Sequence, residues 1–403
     1  MIKLIKISSD YYPKYRSEVI FNAYKWDPQV GDHNTVSEYV MVIDKKTAIY
    51  LEEMAENLSV ETMAMEEELL NKPKLINKLG LPKNIKKEVI SINNYRREDH
   101  IRLMRFDFHP TKTGWAVSEV NSDVPGGFAE ASILPEIASK YFNNFLPRLN
   151  FGSILKDAYI SKVKEKENIA LVYASTYSDD RQVMQFIGDL FEKDNRNSYY
   201  LAPDNISWKN SIPYNAINNQ KISGILRFFP LEWLTTLPKE SKWKNYFYTT
   251  TPSCNHPIAI ITQSKRLPLV WDEIESSKDT WKKLLPKTID PKLSQKEDGD
   301  WIFKPAYGRV GEGISIKSVI SDKEYQKILK DAKKHPKDWV AQQMFYSEGF
   351  MTDENIEMHC CVGVFTVDGK RAGFYGRICP YARIDANAKD IPILVIEENE
   401  NGL

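Results

Sequence analysis

The segment best equipped for chemistry is RFDFHPTKTGWAVSEVNSDVPGG, residues 105–127. Alternate side chains of a strand share a face. Two strands over 101–108 and 115–121, joined by a turn at 109–114, therefore place Arg105, Asp107, Glu119 and Asn121 on one side of an antiparallel hairpin. Phe106, Phe108, Ala116 and Val120 take the other side. The natural register sets Asp107 opposite Glu119 and Arg105 opposite Asn121. Directly opposed carboxylates repel unless a cation lies between them. Hard oxygen ligands of this kind suit Mg²⁺, which commonly shares its coordination sphere with phosphates and water. Arg105 beside them could hold a phosphoryl or carboxylate oxygen in its planar fork. A surface hairpin with an exposed polar face, on which Arg105 merely neutralises Asp107, accounts for the same pattern.

A second segment is DWIFKPAYGRVGEGISI, residues 300–316. Lys304 ends an apolar strand, and Gly308, Gly311 and Gly313 follow at close intervals around Arg309. Glycines let a turn approach phosphates with backbone N–H groups directed at oxygen. The spacing is not that of a P-loop, and no helix pattern follows it. It reads as a glycine-rich β-hairpin, either closing over a nucleotide or simply structural. Lys265, the Gln342-Gln343 pair and Arg377 are further polar candidates, each equally compatible with a structural place.

These residues need elements to position them. Residues 46–70, rich in Ala, Met, Leu and Glu, predict a helix, and 128–145 predict a second with an apolar stripe. An apolar run at 169–174, a helix over 180–192 and a buried strand at 222–229 predict a small α/β unit with a parallel sheet. Two short helices carrying Trp271 and Trp281 follow. Strands are then expected at 301–304, 314–318, 339–345 and 359–367, with a helix at 322–334. Val367-Asp368-Gly369 marks a hairpin turn, because Asp-Gly tolerates positive φ.

Composition narrows the classes. A chain of 403 residues predicts two or three packed units. Lys plus Arg and Asp plus Glu both total 55, so no basic excess points to nucleic acid or a membrane surface. No apolar run is long enough for a bilayer, and the first residues lack a signal-peptide pattern. Cys254, Cys360, Cys361 and Cys379 form no C-x-x-C pair and are expected to be reduced and buried, as in a cytoplasmic protein. The histidines show no zinc spacing. No fixed-period repeat is visible, and oligomeric state is not legible.

Taken in order along the chain, the motifs resemble glutathionylspermidine synthase and its synthetase-only relatives. The resemblance rests on Arg105-Phe106-Asp107, Glu119-Val120-Asn121, Asp123-Val124-Pro125, Phe229-Pro230-Leu231-Glu232-Trp233, Ser264-Lys265, Lys304-Pro305, Gly308-Arg309-Val310-Gly311, and Gly373 through Arg377. It covers roughly residues 20–395 and does not include an amidase domain.

The resemblance implies an α/β (α+β) ATP-grasp ligase fold with a small α/β substrate-side subdomain and a glycine-rich β-hairpin lid. Within one synthetase unit over 1–403, it implies a metal and substrate part at 1–165 containing the 101–127 hairpin. A small α/β subdomain at 166–250, a nucleotide-binding subdomain at 251–345 and a return to the core at 346–403 complete the division. Asp107, Glu119 and Asn121 would hold two Mg²⁺ ions. Lys265, Lys304, Gly308, Arg309, Gly311 and Gly313 would bind ATP, with Gln342 or Gln343 near the adenine. Arg105 and Arg377 would face the transferred phosphoryl group. The implied reaction is ATP- and Mg²⁺-dependent joining of a carboxylate to an amine through an acyl phosphate. A peptide or amino acid and a polyamine or other amine are the implied small-molecule partners, with neither nucleic acid nor membrane involved. The alternatives are a relative that phosphorylates a small acid, and one that has lost catalysis and only binds. Glu232 and the pair Asp179-Asp180 would be substrate residues, although Ser178-Asp179-Asp180 is equally a good helix start. The family often has Tyr-Asn-Ala-Asp-x-Pro-Thr where this chain has Val120 through Gly126, so the hydroxyl groups that could touch glutathione are missing here.

Overall fold

A computed structural model describes residues 1–26, 28–30, 33–164, 166–308, 314–316, 319–385 and 387–396. It is a mixed α/β (α+β) structure of several sheets interspersed with helices. The long helix forms as its composition predicts, over Lys45–Leu70. Asp44 precedes it in extended conformation, and its carboxylate accepts a hydrogen bond from the Thr47 N–H at 2.7 Å. That cap satisfies one of the free donors of the first turn. At 1.5 Å per residue the helix is about 39 Å long. It buries Ala48, Leu51, Ala55, Leu58, Met65 and Leu69 in the main core.

The helix packs on the central sheet, ordered Lys389–Ile391, Lys370–Cys379, Glu357–Val367, Leu103–Thr111, Gly114–Asn121, with Gly349–Met351 pairing on Glu357–Val367. Val367 pairs with Lys370 across the expected turn, where Asp368 and Gly369 both take positive φ. A second sheet joins the two ends of the chain, with Ile393–Ile396 running parallel to Tyr39–Asp44.

The parallel sheet is present over Asn168–Tyr173, Asn197–Leu201, Gly224–Phe228 and Ser253–Cys254. Its helix begins at Ser178 and ends at Lys193, earlier and later than expected. A smaller antiparallel sheet holds Thr288–Ile289, Trp339–Gln343 and Trp301–Pro305, with helix Asp322–Lys334 against it.

Two expected elements form differently. The helix expected over 128–145 is confined to Ile133–Ser139. Pro135 has no N–H to give to the carbonyl four residues back, which stops the helix from starting upstream. No strand forms at Ile314–Ile316 among the described residues; instead Ser315 accepts from the Phe303 N–H through its hydroxyl at 2.7 Å and returns its own N–H to the Phe303 carbonyl. All four cysteines are free and buried. No helix among the described residues is long and apolar enough to cross a membrane.

Candidate active site

The hairpin pairs in the expected register, with Arg105 opposite Asn121 and Asp107 opposite Glu119. Below that pair the ladder slips: Phe108 faces Val117, leaving Ser118 as an extra residue. Val117 rather than Ala116 therefore joins Phe106, Phe108 and Val120 in the core. A bulge of this kind re-aims the side chains around it. Here it sends the Ser118 hydroxyl to within 3.0 Å of His109 Nε2 and presents the Ser118 carbonyl to Lys304 Nζ at 3.3 Å.

Asp107 is almost fully buried and heavily coordinated. Arg105 donates to it through Nε at 2.7 Å and a terminal nitrogen at 3.0 Å, Asn121 Nδ2 donates at 3.0 Å, and an Arg377 nitrogen stands 3.6 Å away. Burial alone would raise the Asp107 carboxyl, but Arg105 and Arg377 hold it below the usual range. Glu119 follows the same logic: burial pushes it up, and Lys265, 2.9 Å from its Oε2, pulls it below its ordinary value. The repulsion between the two carboxylates is thus offset by protein cations rather than left open.

Arg105 runs flat between packed groups. Its guanidinium lies 4.8 Å from the Tyr375 ring centre and donates to the Gly126 carbonyl at 2.7 Å. A Cβ on Gly363 would meet the Arg105 side chain at 2.8 Å, and one on Gly127, whose φ is +94°, would meet the Tyr375 ring at 2.9 Å. Both glycines leave room for this stack.

Lys265 reaches the site from the turn after Ile260–Gln263, donating to the Gly308 carbonyl at 2.6 Å. Lys304 comes from Trp301–Pro305 and is 4% exposed. Burial pushes its amine down to about 8, with Glu119 opposing the shift and Lys265 reinforcing it. Arg377 lines the same cleft with Asp107, Glu119 and Lys304, and its Nε is buried without a hydrogen-bond partner.

Gln342 lies on the inner side of its strand, in a narrow slot with Glu119, Lys265, Trp271 and Trp281. Its Nε2 donates to Thr288 at 3.0 Å, and its buried Oε1 has no partner. Gln343 faces outward and is exposed, as alternation along a strand requires, so it does not join the slot. Arg309, Gly311 and Gly313 lie outside the described residues. The structure thus brings Arg105, Asp107, Glu119, Asn121, Lys265, Lys304, Gly308 and Arg377 together.

Asp179 and Asp180 sit apart from this cleft, in the first turn of Ser178–Lys193. The N-cap position is Tyr177 and no side chain caps the helix. Asp180 instead accepts from the Ala174 N–H, and burial together with Asp179 raises its carboxyl to about 7. Glu232, half-buried in the turn Leu231–Thr236, adds to burial in pushing the Tyr307 hydroxyl up.

Further residues join the cleft beyond those the motifs single out. His109 occupies the same strand face as Arg105 and Asp107, at the spacing that could have revealed it. It is fully enclosed, burial lowers it to about 4, and its Nδ1 has no partner. Arg383 also lines the cleft, held by Asp385 at 2.8 and 3.1 Å. Asp123 is a positioning residue: it pairs with Arg227 and accepts from the Leu231 N–H at 3.0 Å, tying the loop after the hairpin to the parallel sheet.

The sequence matches the glutathionylspermidine synthase preATP-grasp family over residues 6–380. The chain belongs to that family. A glutathionylspermidine synthase-like chain is implied to be an ATP-dependent ligase. Comparison with curated proteins finds no significant match. Among solved structures, a glutathione synthetase-like effector from Globodera pallida in its apo form is similar at TM-score 0.62 and 10% identity. The alignment covers 97% of this chain and 99% of that one, and it shows a shared fold.

Proposed function

We propose that this member of the glutathionylspermidine synthase family is an ATP- and Mg²⁺-dependent carboxylate–amine ligase working through an acyl phosphate. One observation carries the reading: Arg105, Arg377, Lys265 and Lys304 converge on the buried Asp107 and the partly buried Glu119. Cations outnumber anions there, which suits a polyphosphate and a carboxylate better than a neutral ligand.

The donor set fits magnesium. Among the described residues no three His, Cys, Asp or Glu side chains form a metal cage. Asp107 and Glu119, opposite each other with Asn121 beside them, offer the few hard oxygens that Mg²⁺ takes when phosphates and water supply the rest. Bound there, Mg²⁺ would neutralise charge on the phosphates and on the transferred phosphoryl group.

The chain's own groups divide the remaining work. A carboxylate is a poor electrophile, so its oxygen attacks the terminal phosphorus of ATP and ADP leaves. The amine nitrogen then attacks the acyl carbon, phosphate departs and the nitrogen loses a proton. Lys265 and Lys304 hold phosphates as point charges, and Arg105 and Arg377 face the phosphoryl oxygens. Gln342 Oε1 offers an acceptor for the adenine amino group. His109, neutral at physiological pH, adds no charge to the cleft. In this reading residues 1–165 carry the metal hairpin, 166–250 the substrate side, 251–345 the nucleotide, and 346–403 return Arg377 to the core.

The test is calorimetric titration with a non-hydrolysable ATP analogue. Tight binding with Mg²⁺ that weakens at least tenfold in EDTA or in Glu119→Gln supports the reading. Equal affinity under all three conditions contradicts it.

A further inference from the structure

Strand Gly114–Asn121 ends at Asn121, and the chain leaves the sheet with its backbone still buried. Ser122 and Asp123 are inaccessible to water, so their N–H and C=O groups need partners that a sheet ladder no longer supplies. Side chains fill that role. The Ser122 carbonyl accepts from an Arg102 terminal nitrogen at 2.7 Å and from Asn255 Nδ2 at 3.0 Å, and the Asp123 carbonyl accepts from the same Asn255 nitrogen at 3.1 Å. Both N–H groups converge on one atom: Gln263 Oε1 accepts from Ser122 and from Asp123, each at 2.8 Å. Two donors at one end of the amide fix that end as the oxygen.

Gln263 closes the short helix Ile260–Gln263, just ahead of Ser264-Lys265, and lines the slot that holds Glu119 and Lys265. It is buried, and it ties the turn that carries Lys265 to the residues directly after Asn121. Thr262 grips the same point, with its hydroxyl 2.6 Å from Ser122 Oγ beside the buried Glu66–Arg102 pair. Two other links between the hairpin and the lysines run through groups that a ligand would claim. Lys265 pairs with Glu119 at 2.9 Å, and Lys304 donates to the Ser118 carbonyl at 3.3 Å. When both ammonium groups turn to phosphate and Glu119 turns to a metal, these contacts are given up. The Gln263 bonds are neutral and reach only backbone, so ligand binding withdraws nothing from them.

We propose that Gln263 is a positioning residue that holds Lys265 in register with Asp107, Glu119 and Asn121 while nucleotide and Mg²⁺ share the cleft. It acts through the Ser122–Asp123 backbone and not by touching the reacting atoms. The consequence is specific, because such a residue couples two ligands instead of strengthening either one. Lys265 meets a nucleotide alone wherever its turn settles. The gain from adding Mg²⁺ needs the lysine and the metal ligands at one fixed spacing, since both address the same phosphates. This role rests on the ligase site proposed above, and the experiment separates the two.

The experiment is calorimetric titration of the whole chain with a non-hydrolysable ATP analogue, in Mg²⁺ and in EDTA. Wild type is compared with Gln263→Met, which removes the acceptor at nearly constant volume, and with Gln263→Glu, which keeps it. Gln263→Asn keeps the amide but withdraws it by one methylene, and serves if the methionine variant does not fold; circular dichroism decides that. Wild type should bind the analogue roughly tenfold or more tighter in Mg²⁺ than in EDTA. In Gln263→Met and Gln263→Asn that ratio should fall below about threefold with the affinity in EDTA nearly unchanged, whereas Gln263→Glu should keep the full ratio. A full ratio in the methionine or asparagine variant, or a ratio lost in Gln263→Glu as well, overturns the proposal. So does an affinity that falls equally in Mg²⁺ and in EDTA, which marks a residue that only supports the fold. Absence of any Mg²⁺ enhancement in wild type overturns the ligase reading and this role together, while a normal wild type beside undiminished variants overturns the positioning role alone.

Discussion

Lys304 is the residue at which the proposed phosphate-binding role most clearly opposes stability. An amine lowered from 10.5 to about 8 has lost roughly 2.5 pH units of protonation free energy on folding. At 1.36 kcal/mol per unit that is about 3 kcal/mol carried by the folded protein at neutral pH. Lys304→Met keeps the volume and removes the charge. It also loses the 3.3 Å hydrogen bond to the Ser118 carbonyl, worth about 1 kcal/mol, so the net gain should be about 2 kcal/mol. At about 2 °C per kcal/mol or less for a chain of this size, the unliganded variant should melt about 3 °C above wild type at pH 7. The sign with pH follows from linkage. Between pH 8 and 10.5 the unfolded lysine holds a proton that the folded one has released, so wild-type stability rises with pH across that window. The advantage of Lys304→Met should be full below pH 8 and gone near pH 10.5. ATP-analogue affinity in the same variant should fall at least tenfold. Thermal melts from pH 6.5 to 10 beside calorimetric titration measure both. A variant that melts below wild type at pH 7, or a gain that does not shrink toward pH 10, would refute the reasoning.

Other expectations follow from the same geometry. Asp107→Asn should abolish turnover and lower the melting temperature, because it leaves Arg105 and Arg377 buried without their anion; unchanged activity or a raised melting point contradicts this. Glu119→Gln should cost at least a hundredfold in turnover, and the double variant should be little worse than either single one if, as proposed, both carboxylates serve one centre; additive losses would separate them. Arg377→Lys should reduce kcat far more than it raises the KM for ATP, a split that steady-state kinetics reads directly. Asp180→Asn should stabilise the protein at pH 8 and have little effect below pH 4: a carboxyl raised to about 7 withdraws stability as pH climbs from its unfolded value through 7, and denaturant melts at the two pH values check the sign.

Much of the hairpin Leu103–Asn121 was legible because a strand has an unambiguous period of two. Register followed from matching Arg105 with Asn121 and Asp107 with Glu119, and the Asp368-Gly369 turn followed from local backbone preference. The Ser118 bulge was not legible, since an unpaired residue leaves the composition of a strand unchanged. Pro110 and Gly114 make His109 look like the start of a turn, whereas the strand continues to Thr111. Proline is tolerated there because its carbonyl, accepting from the Glu348 N–H at 2.8 Å, still takes part in pairing. The place of Arg383 and the link from Gln263 to Ser122 and Asp123 depend on loops brought together by sheet order, which no local pattern encodes. Gln342 and Gln343 could be separated only once their strand had an inside and an outside.

The central claim is that a carboxylate oxygen is phosphorylated on the way to an amide. The direct measurement supplies the acid with ¹⁸O in its carboxyl group, together with MgATP and the amine, and follows the label in the released phosphate by mass spectrometry. A ligase acting through an acyl phosphate delivers one labelled oxygen to phosphate for each amide formed, with no sustained ADP release when the acid is omitted. Amide formed with all the label retained in acid and product, or ADP release indifferent to the acid, would contradict it.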